Sequence, residues 1–171
     1  LEKLNLPQNS IFAPNDDESL LIAINASYRQ VFGNISTMES ERPIDIERRL
    51  RNGDITIREF VRQICKSAFY RSYFFETISQ YKYIQLSYKQ ILGRSIKNQN
   101  EIIKSSIILT EEGFSNHVDW LIDSNEYNEV FGEDIVPYMR GWNSPIGFKT
   151  KDFLEARNLT KAFATSDNCL I

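Results

Sequence analysis

Histidine, cysteine and glycine are all sparse in this chain, which has one His, two Cys and seven Gly in 171 residues. The two cysteines, Cys65 and Cys169, lie far apart and form no CxxC pair, which excludes a zinc ribbon or a redox dithiol and suits a reducing compartment. A single His with two unpaired Cys supplies too few soft ligands for a metal centre. No Gly-rich phosphate loop or dinucleotide fingerprint is present. No run approaches the roughly eighteen apolar residues needed to cross a bilayer, and LEKLNLPQNS lacks the apolar core of a signal peptide. The sequons Asn34-Ile35-Ser36 and Asn158-Leu159-Thr160 are therefore discounted. Basic excess is also missing: the net charge is −3, against general nucleic-acid binding. The length suits one domain, which at this size buries roughly 70% of its unfolded surface without metal or disulfide support.

What is present is helical punctuation, densest from Glu47 to Phe75. The segment from Ile46 to Arg51 runs into Asn52-Gly53, where glycine accepts the left-handed backbone that ends a helix. Thr56 stands three residues before Glu59, a capping-box spacing that starts the next helix. In that helix Phe60, Val61, Ile64, Cys65, Ala68 and Phe69 form one apolar stripe, expected to be core. Arg58, Arg62 and Lys66 line a separate basic face, expected to be free to bind. The tail Tyr70, Arg71, Tyr73, Phe74 and Phe75 carries more aromatic surface than one helix buries alone.

The same grammar continues along the chain. Acids Asp16, Asp17 and Glu18 suit a helix start, and Leu21, Ile24, Tyr28, Val31 and Phe32 repeat at helical spacing until Gly33. A polar loop spans Asn34 to Pro43. Ile84, Tyr88, Ile91 and Leu92 mark a helix from about Tyr81 that stops at Gly93, with Arg94 placed to hold its terminal carbonyls. Asn98 and Glu101 repeat the capping-box spacing before Ile102, Ile103, Ile107 and Leu109, closing at Gly113. Ser115 is positioned to cap a helix with Val118, Trp120, Leu121 and Ile122, and Asp123 with Glu126 a further one ending at Gly132. Sustained alternation of period two is absent; Ile55 to Ile57 is too short for a strand. These patterns predict an all-α fold, a single helical bundle of about six to eight helices with irregular terminal extensions. A further helical turn is expected at Lys151 to Arg157.

Chemistry is hard to place in these residues. His117 has Asp119 and Asp123 nearby in sequence, but no glycine-flanked Ser or low-pKa Cys accompanies it as a nucleophile. Asp123-Ser124-Asn125 has the start of a calcium loop, yet Asn128 stands where the sharp turn needs Gly, and helix capping explains the same residues. Surfaces remain. Arg58, Arg62, Arg71 and Arg94 suit bidentate contact with carboxylates, and Tyr73, Phe75, Trp120, Tyr138 and Trp142 suit interface anchors.

YRQVFGN (Tyr28–Asn34), RLRNGDITIREFVR (Arg49–Arg62) with KSAFYRSYFF (Lys66–Phe75), ILGR (Ile91–Arg94) and LIDSNEYNEVFGEDIVPYMRG (Leu121–Gly141) follow one another along most of the chain. In these segments the chain resembles the linker domain of phycobilisome linker polypeptides, of the rod and core-membrane kinds. The resemblance implies a linker domain at 16–145 between extensions at 1–15 and 146–171. It implies a non-catalytic helical domain that sits within rings of phycobiliproteins, organises discs into rods or core cylinders, and tunes bilins for directional energy transfer. The implied partners are allophycocyanin, phycocyanin or phycoerythrin and other linkers, without nucleic acid or membrane insertion. No bilin would be covalently bound to this chain; bilins carried by the partners would be touched. Contact candidates by position in the matching segments are Arg58, Arg62, Arg71, Tyr73, Phe75, Arg94, Tyr138 and Arg140. The implied location is the cytoplasmic or stromal face of a thylakoid in a cyanobacterium or red-algal plastid. The acidic balance and the start at Leu1 favour a core-membrane repeat, with a rod linker next. The alternative from another class is a helical nucleic-acid-binding module using Arg58, Arg62 and Lys66.

Overall fold

The computed structural model describes residues 17–33 and 42–140. The two expected extensions, most of the 34–43 loop, both sequons, the turn at 151–157, Trp142 and Cys169 lie outside the described residues. Among the described residues the fold is all α, with no strand. In chain order it runs α1 (Asp17–Phe32), α2 (Ile44–Arg51), α3 (Ile57–Cys65), α4 (Ala68–Arg71), a π-helical turn (Ser72–Glu76), α5 (Gln80–Ile91), α6 (Gln99–Glu111), α7 (Phe114–Ile122) and α8 (Asn125–Val130). Helix α1 packs on α3 and α5, α3 packs on α7, and α5 packs on α6 and α7. No described helix is long and apolar enough to cross a membrane.

Helix α3 follows its sequence. The Thr56 hydroxyl accepts from the Glu59 amide, and the stripe Phe60, Val61, Ile64 and Cys65 is wholly buried. Each such large side chain contributes roughly 1.5–3 kcal/mol of burial. The predicted long helix does not continue through Phe75, however. Ser67 adopts extended backbone and its hydroxyl accepts from the Tyr70 amide, which starts α4 as a new helix. The restart exposes Ala68, expected in the core, buries Tyr70, and lets the π turn fan out Tyr73, Phe74 and Phe75.

Serines supply the other working caps, because a hydroxyl beside an extended backbone reaches the N–H three residues on. Ser79 caps α5 through the Lys82 amide, and Ser124 caps α8 through the Tyr127 amide. The predicted caps Asn98, Ser115 and Asp123 do not serve. Asn98 makes no side-chain cap bond and Ser115 lies inside α7, while Asp123 is engaged by arginines. Two apolar stripes also shift from expectation. Leu21 is exposed while Leu20 and Ala23 are buried, and in α6 Ile103 and Ile107 are exposed while Ser105 and Leu109 face the core.

After α8 the chain returns as an irregular strap, 135–140, whose last residue meets the end of α5. The Arg140 amide donates to the Gly93 carbonyl at 2.7 Å, and its Nε donates to the Leu92 carbonyl at 2.9 Å. Arg140 therefore holds the Leu92 and Gly93 carbonyls just past α5, while in the last turn the Arg94 amide donates to the Tyr88 carbonyl at 3.4 Å and the Gln30 side chain donates to those of Lys89 and Gln90 at 3.0 Å each. Gly93 is required there: its φ is +68°, and a Cβ would sit 1.9 Å from the Tyr138 carbonyl oxygen.

Candidate functional site

The basic face predicted to be free is instead a ladder joining α3 to α7 and to the turn after α8. Arg58 bonds Glu133 at 2.6 Å and Asp123 at 2.7 Å, and Arg62 bonds Asp119 and Asp123, each at 2.6 Å. Lys66 closes the ladder on Asp119 at 2.6 Å. Hydrogen bonds donated to Asp123, opposed by burial, hold the Arg62 guanidinium firmly protonated; the same contacts hold Asp123 below the usual carboxylate range. The signal was visible in the sequence: Arg58, Arg62 and Lys66 recur every four residues, as do Asp119 and Asp123. Only the packing of α3 on α7 pairs one row with the other.

A second ion cluster fixes the strap. The Arg94 side chain is only 9% exposed and reaches Glu101 at 2.7 Å and Glu126 at 2.6 Å. Arg140 also bonds Glu126, so two arginines share that carboxylate. Burial alone would raise the Glu126 pKa, but hydrogen bonds from Arg94 and Arg140 outweigh it and hold it at about 2. A third polar contact went unread in the sequence. The Tyr28 hydroxyl donates to Glu47 at 2.8 Å and Arg42 bonds the same oxygen at 2.9 Å, tying α1 to α2.

His117 is fully buried, its Nδ1 3.1 Å from the Tyr83 hydroxyl, and burial lowers its pKa to about 4. It sits between the Tyr83 and Trp120 rings. Cys65 is buried too, and burial pushes its thiol pKa up. Among the described residues no group of three His, Cys, Asp or Glu is placed to hold a metal ion.

The predicted contact candidates thus divide into two sets. Arg58, Arg62, Arg94 and Arg140 are engaged inside the domain, and Phe75 is half-buried against Tyr83 and Phe114. Arg71, Tyr73 and Tyr138 reach solvent, at 57%, 49% and 45% exposure, and Arg71 pairs at the surface with Glu76 at 2.9 Å. Tyr73 is stiffly mounted: it packs on Phe69 with centroids 4.6 Å apart, and Phe69 meets Phe32 edge-on at 5.1 Å. Tyr138 packs edge-on against buried Phe131.

Residues 15–140 match the profile of the family described as Phycobilisome Linker polypeptide. The chain belongs to that family. It is 42% identical over 158 residues to the phycoerythrin class 2 subunit gamma, linker polypeptide, of Synechococcus sp. (strain WH8020), covering 92% of this chain and 54% of the relative. It is 40% identical over 154 residues to the phycobilisome 32.1 kDa linker polypeptide, phycocyanin-associated, rod, of Mastigocladus laminosus, covering 90% and 54%. The 27.9 kDa phycoerythrin-associated rod linker of Microchaete diplosiphon is 37% identical over 153 residues, covering 90% and 61%. The linker chain spans about half the length of the curated relatives it matches. Phycobilisome linker polypeptides are structural, non-catalytic proteins.

Proposed function

We propose that this linker domain is the rod type, docking on phycocyanin or phycoerythrin discs through a rigid aromatic-basic knob, Arg71 and Tyr73, together with Tyr138. The observation that carries the reading is the division of the candidates. Four arginines hold the frame together, while Tyr73 and Tyr138 reach solvent on packed aromatic supports and Arg71, paired only with the exposed Glu76 of the adjoining turn, lies beside Tyr73 at the surface. A rigid aromatic loses little conformational entropy on binding, and Tyr and Arg dominate interface energetics. The rod relatives, some phycocyanin-associated and some phycoerythrin-associated, support this subtype over the core-membrane repeat with its allophycocyanin partners.

In this proposal the domain tunes bilins without binding one covalently. An exposed arginine and tyrosine beside a partner's bilin restrict its conformers and shift its absorption through local electrostatics. The Cys65 thiol is poorly suited to attachment, being buried and held protonated. Placement among other linkers, on the cytoplasmic or stromal face of a thylakoid, follows from the same reading. The nucleic-acid alternative loses its surface, because Arg58, Arg62 and Lys66 already face Asp119, Asp123 and Glu133.

Mixing the protein with phycocyanin or phycoerythrin hexamers tests the reading. Co-sedimentation with a shift in bilin absorption is expected, both weakened in Arg71→Ala/Tyr73→Ala; wild-type protein that binds neither disc would overturn it. Intact mass after expression in a bilin-making host should equal that of the unmodified chain.

A further inference from the structure

Two kinds of arginine ion pair occur in this domain. Arg58, Arg62 and Arg94 are each at most 17% exposed, and they reach acids far away in the chain. Arg71 differs. It pairs with Glu76 at 2.9 Å within one short segment, and both side chains are more than half exposed. Backbone bonds in a π turn join residues five apart, so Arg71 and Glu76, five apart at the two ends of the Ser72–Glu76 turn, come to stand one turn from each other. Other contacts hold that turn. Phe74 packs on Tyr70 with ring centroids 5.0 Å apart and Phe75 on Phe114 at 4.9 Å. The Ser72 hydroxyl donates to the Phe69 carbonyl at 2.9 Å and the Thr77 hydroxyl to the Tyr73 carbonyl at 2.6 Å. An exposed ion pair adds little to stability beside these contacts, because water screens it, and it parts at little cost.

We propose that Glu76 is an internal place-holder, which occupies Arg71 in the free chain and is displaced on docking by an Asp or Glu side chain of the partner's surface. The exchange rests on the proposed function and deepens it, by naming the chemistry that Arg71 meets and by giving a role to Glu76. Its cost is low. The pair lies within one segment, so parting it moves no helix against another, and an exposed Glu76 carboxylate returns to water. The gain is larger. Glu76 meets the guanidinium at Nε, whereas the full fork of five N–H donors suits two parallel bonds to one carboxylate. Tyr73, half exposed and packed on Phe69, supplies an aromatic contact beside the incoming acid. A site this open is met by an acid standing on a protein surface, not by a ligand enclosed in a pocket. The frame arginines are unfit for such an exchange. Arg94, 9% exposed and shared by Glu101 and Glu126, would leave partly buried carboxylates without their partner.

The sign of one substitution decides. Wild-type protein, Glu76→Gln, Arg71→Ala and the double variant are titrated into phycocyanin and phycoerythrin hexamers, with Glu129→Gln, at an exposed position of α8, as the control for net charge. Glu76→Gln should bind about two- to fivefold more tightly than wild type at low salt, the range of an exposed ion pair. That gain should vanish in the Arg71→Ala background and shrink at about 0.5 M salt. Glu129→Gln should bind as wild type does. Weaker binding by Glu76→Gln would overturn the proposal, because it would make Glu76 a contact to a partner cation or a support for Arg71. Unchanged binding, an equal gain in Glu129→Gln, or a gain that persists without Arg71 would also overturn it. In each of these cases wild type still binds, and the rod-linker reading stands. Wild-type protein that binds neither disc sinks that reading, and the exchange falls with it. Circular dichroism of Glu76→Gln should match wild type, since packed rings and two hydroxyl bonds still hold the π turn; a loss of helical signal would overturn the place-holder role.

Discussion

Replacing Gly93 by alanine adds one methyl group, yet it should be among the most damaging small substitutions in this domain. Two costs combine. At φ +68° an L-residue is strained by roughly 1–2 kcal/mol. The new Cβ would also lie 1.9 Å from the Tyr138 carbonyl oxygen, a backbone atom that cannot rotate away. The strap must therefore lift, losing the bonds from Arg140 to the Gly93 and Leu92 carbonyls, at about 1 kcal/mol each. It also separates Arg140 from Glu126. The total is roughly 3–5 kcal/mol. Gly53→Ala provides the control, because Gly53 has φ +78° but open space around its Cβ position, so only the conformational cost of about 1–2 kcal/mol applies. Urea denaturation followed by circular dichroism should separate the two variants by about 2–3 kcal/mol, and hydrogen exchange at the Arg140 amide should accelerate in Gly93→Ala alone. Equal losses in the two variants, or unchanged protection of Arg140, would refute a strap seated on Gly93.

His117 should make the domain acid-sensitive: its folded pKa of about 4 lies below the free value of 6.5, so the unfolded chain binds the proton first. Its contribution is complete above pH 6.5 and falls as pH drops toward 4, by about 3 kcal/mol in all, and the pH dependence of urea midpoints should flatten in this window in His117→Gln. Glu126 acts lower, because a carboxylate held at about 2 keeps the strap cluster charged until the pH falls from about 4.5 through 2; Glu126→Gln should remove that acid phase. Asp123→Ala should cost only about 1 kcal/mol by thermal melting, since Asp123 is half exposed although it bridges Arg58 and Arg62. Tyr73→Ala should leave the melting temperature within a few degrees of wild type while weakening disc binding.

Local rules account for what the sequence disclosed. Gly33, Gly53, Gly93 and Gly132 end helices with positive φ, as their positions after apolar repeats predicted, and Thr56 caps as its spacing to Glu59 predicted. Where several residues could make the same local bond, tertiary demand chose between them. Asp123 is a sound cap by type, but two arginines of α3 claim it and Ser124 takes the role. Asn98 and Glu101 have capping-box spacing, yet Glu101 is drawn to Arg94 and the Lys97 amide. The break at Ser67 was hidden because apolar periodicity continues across it, and a hydroxyl cap inside such a run leaves no trace in the pattern. Glu126 lies 32 residues from Arg94 and 14 from Arg140, so no local spacing marks the cluster that holds the strap. Which of the proposed contact candidates are engaged in the frame and which reach the surface was decided by packing between helices, which no local spacing records.

The central claim is that Arg71, Tyr73 and Tyr138 present this linker domain to a phycobiliprotein disc. It is tested most directly by titrating wild-type protein and the Arg71→Ala/Tyr73→Ala/Tyr138→Ala variant into phycocyanin and phycoerythrin hexamers while recording absorption and sedimentation. Saturable binding with a red-shifted bilin band for wild type, and at least about tenfold weaker binding for the folded variant, is the predicted result. Unchanged binding by the variant, or no binding by wild type to either disc, would contradict the account.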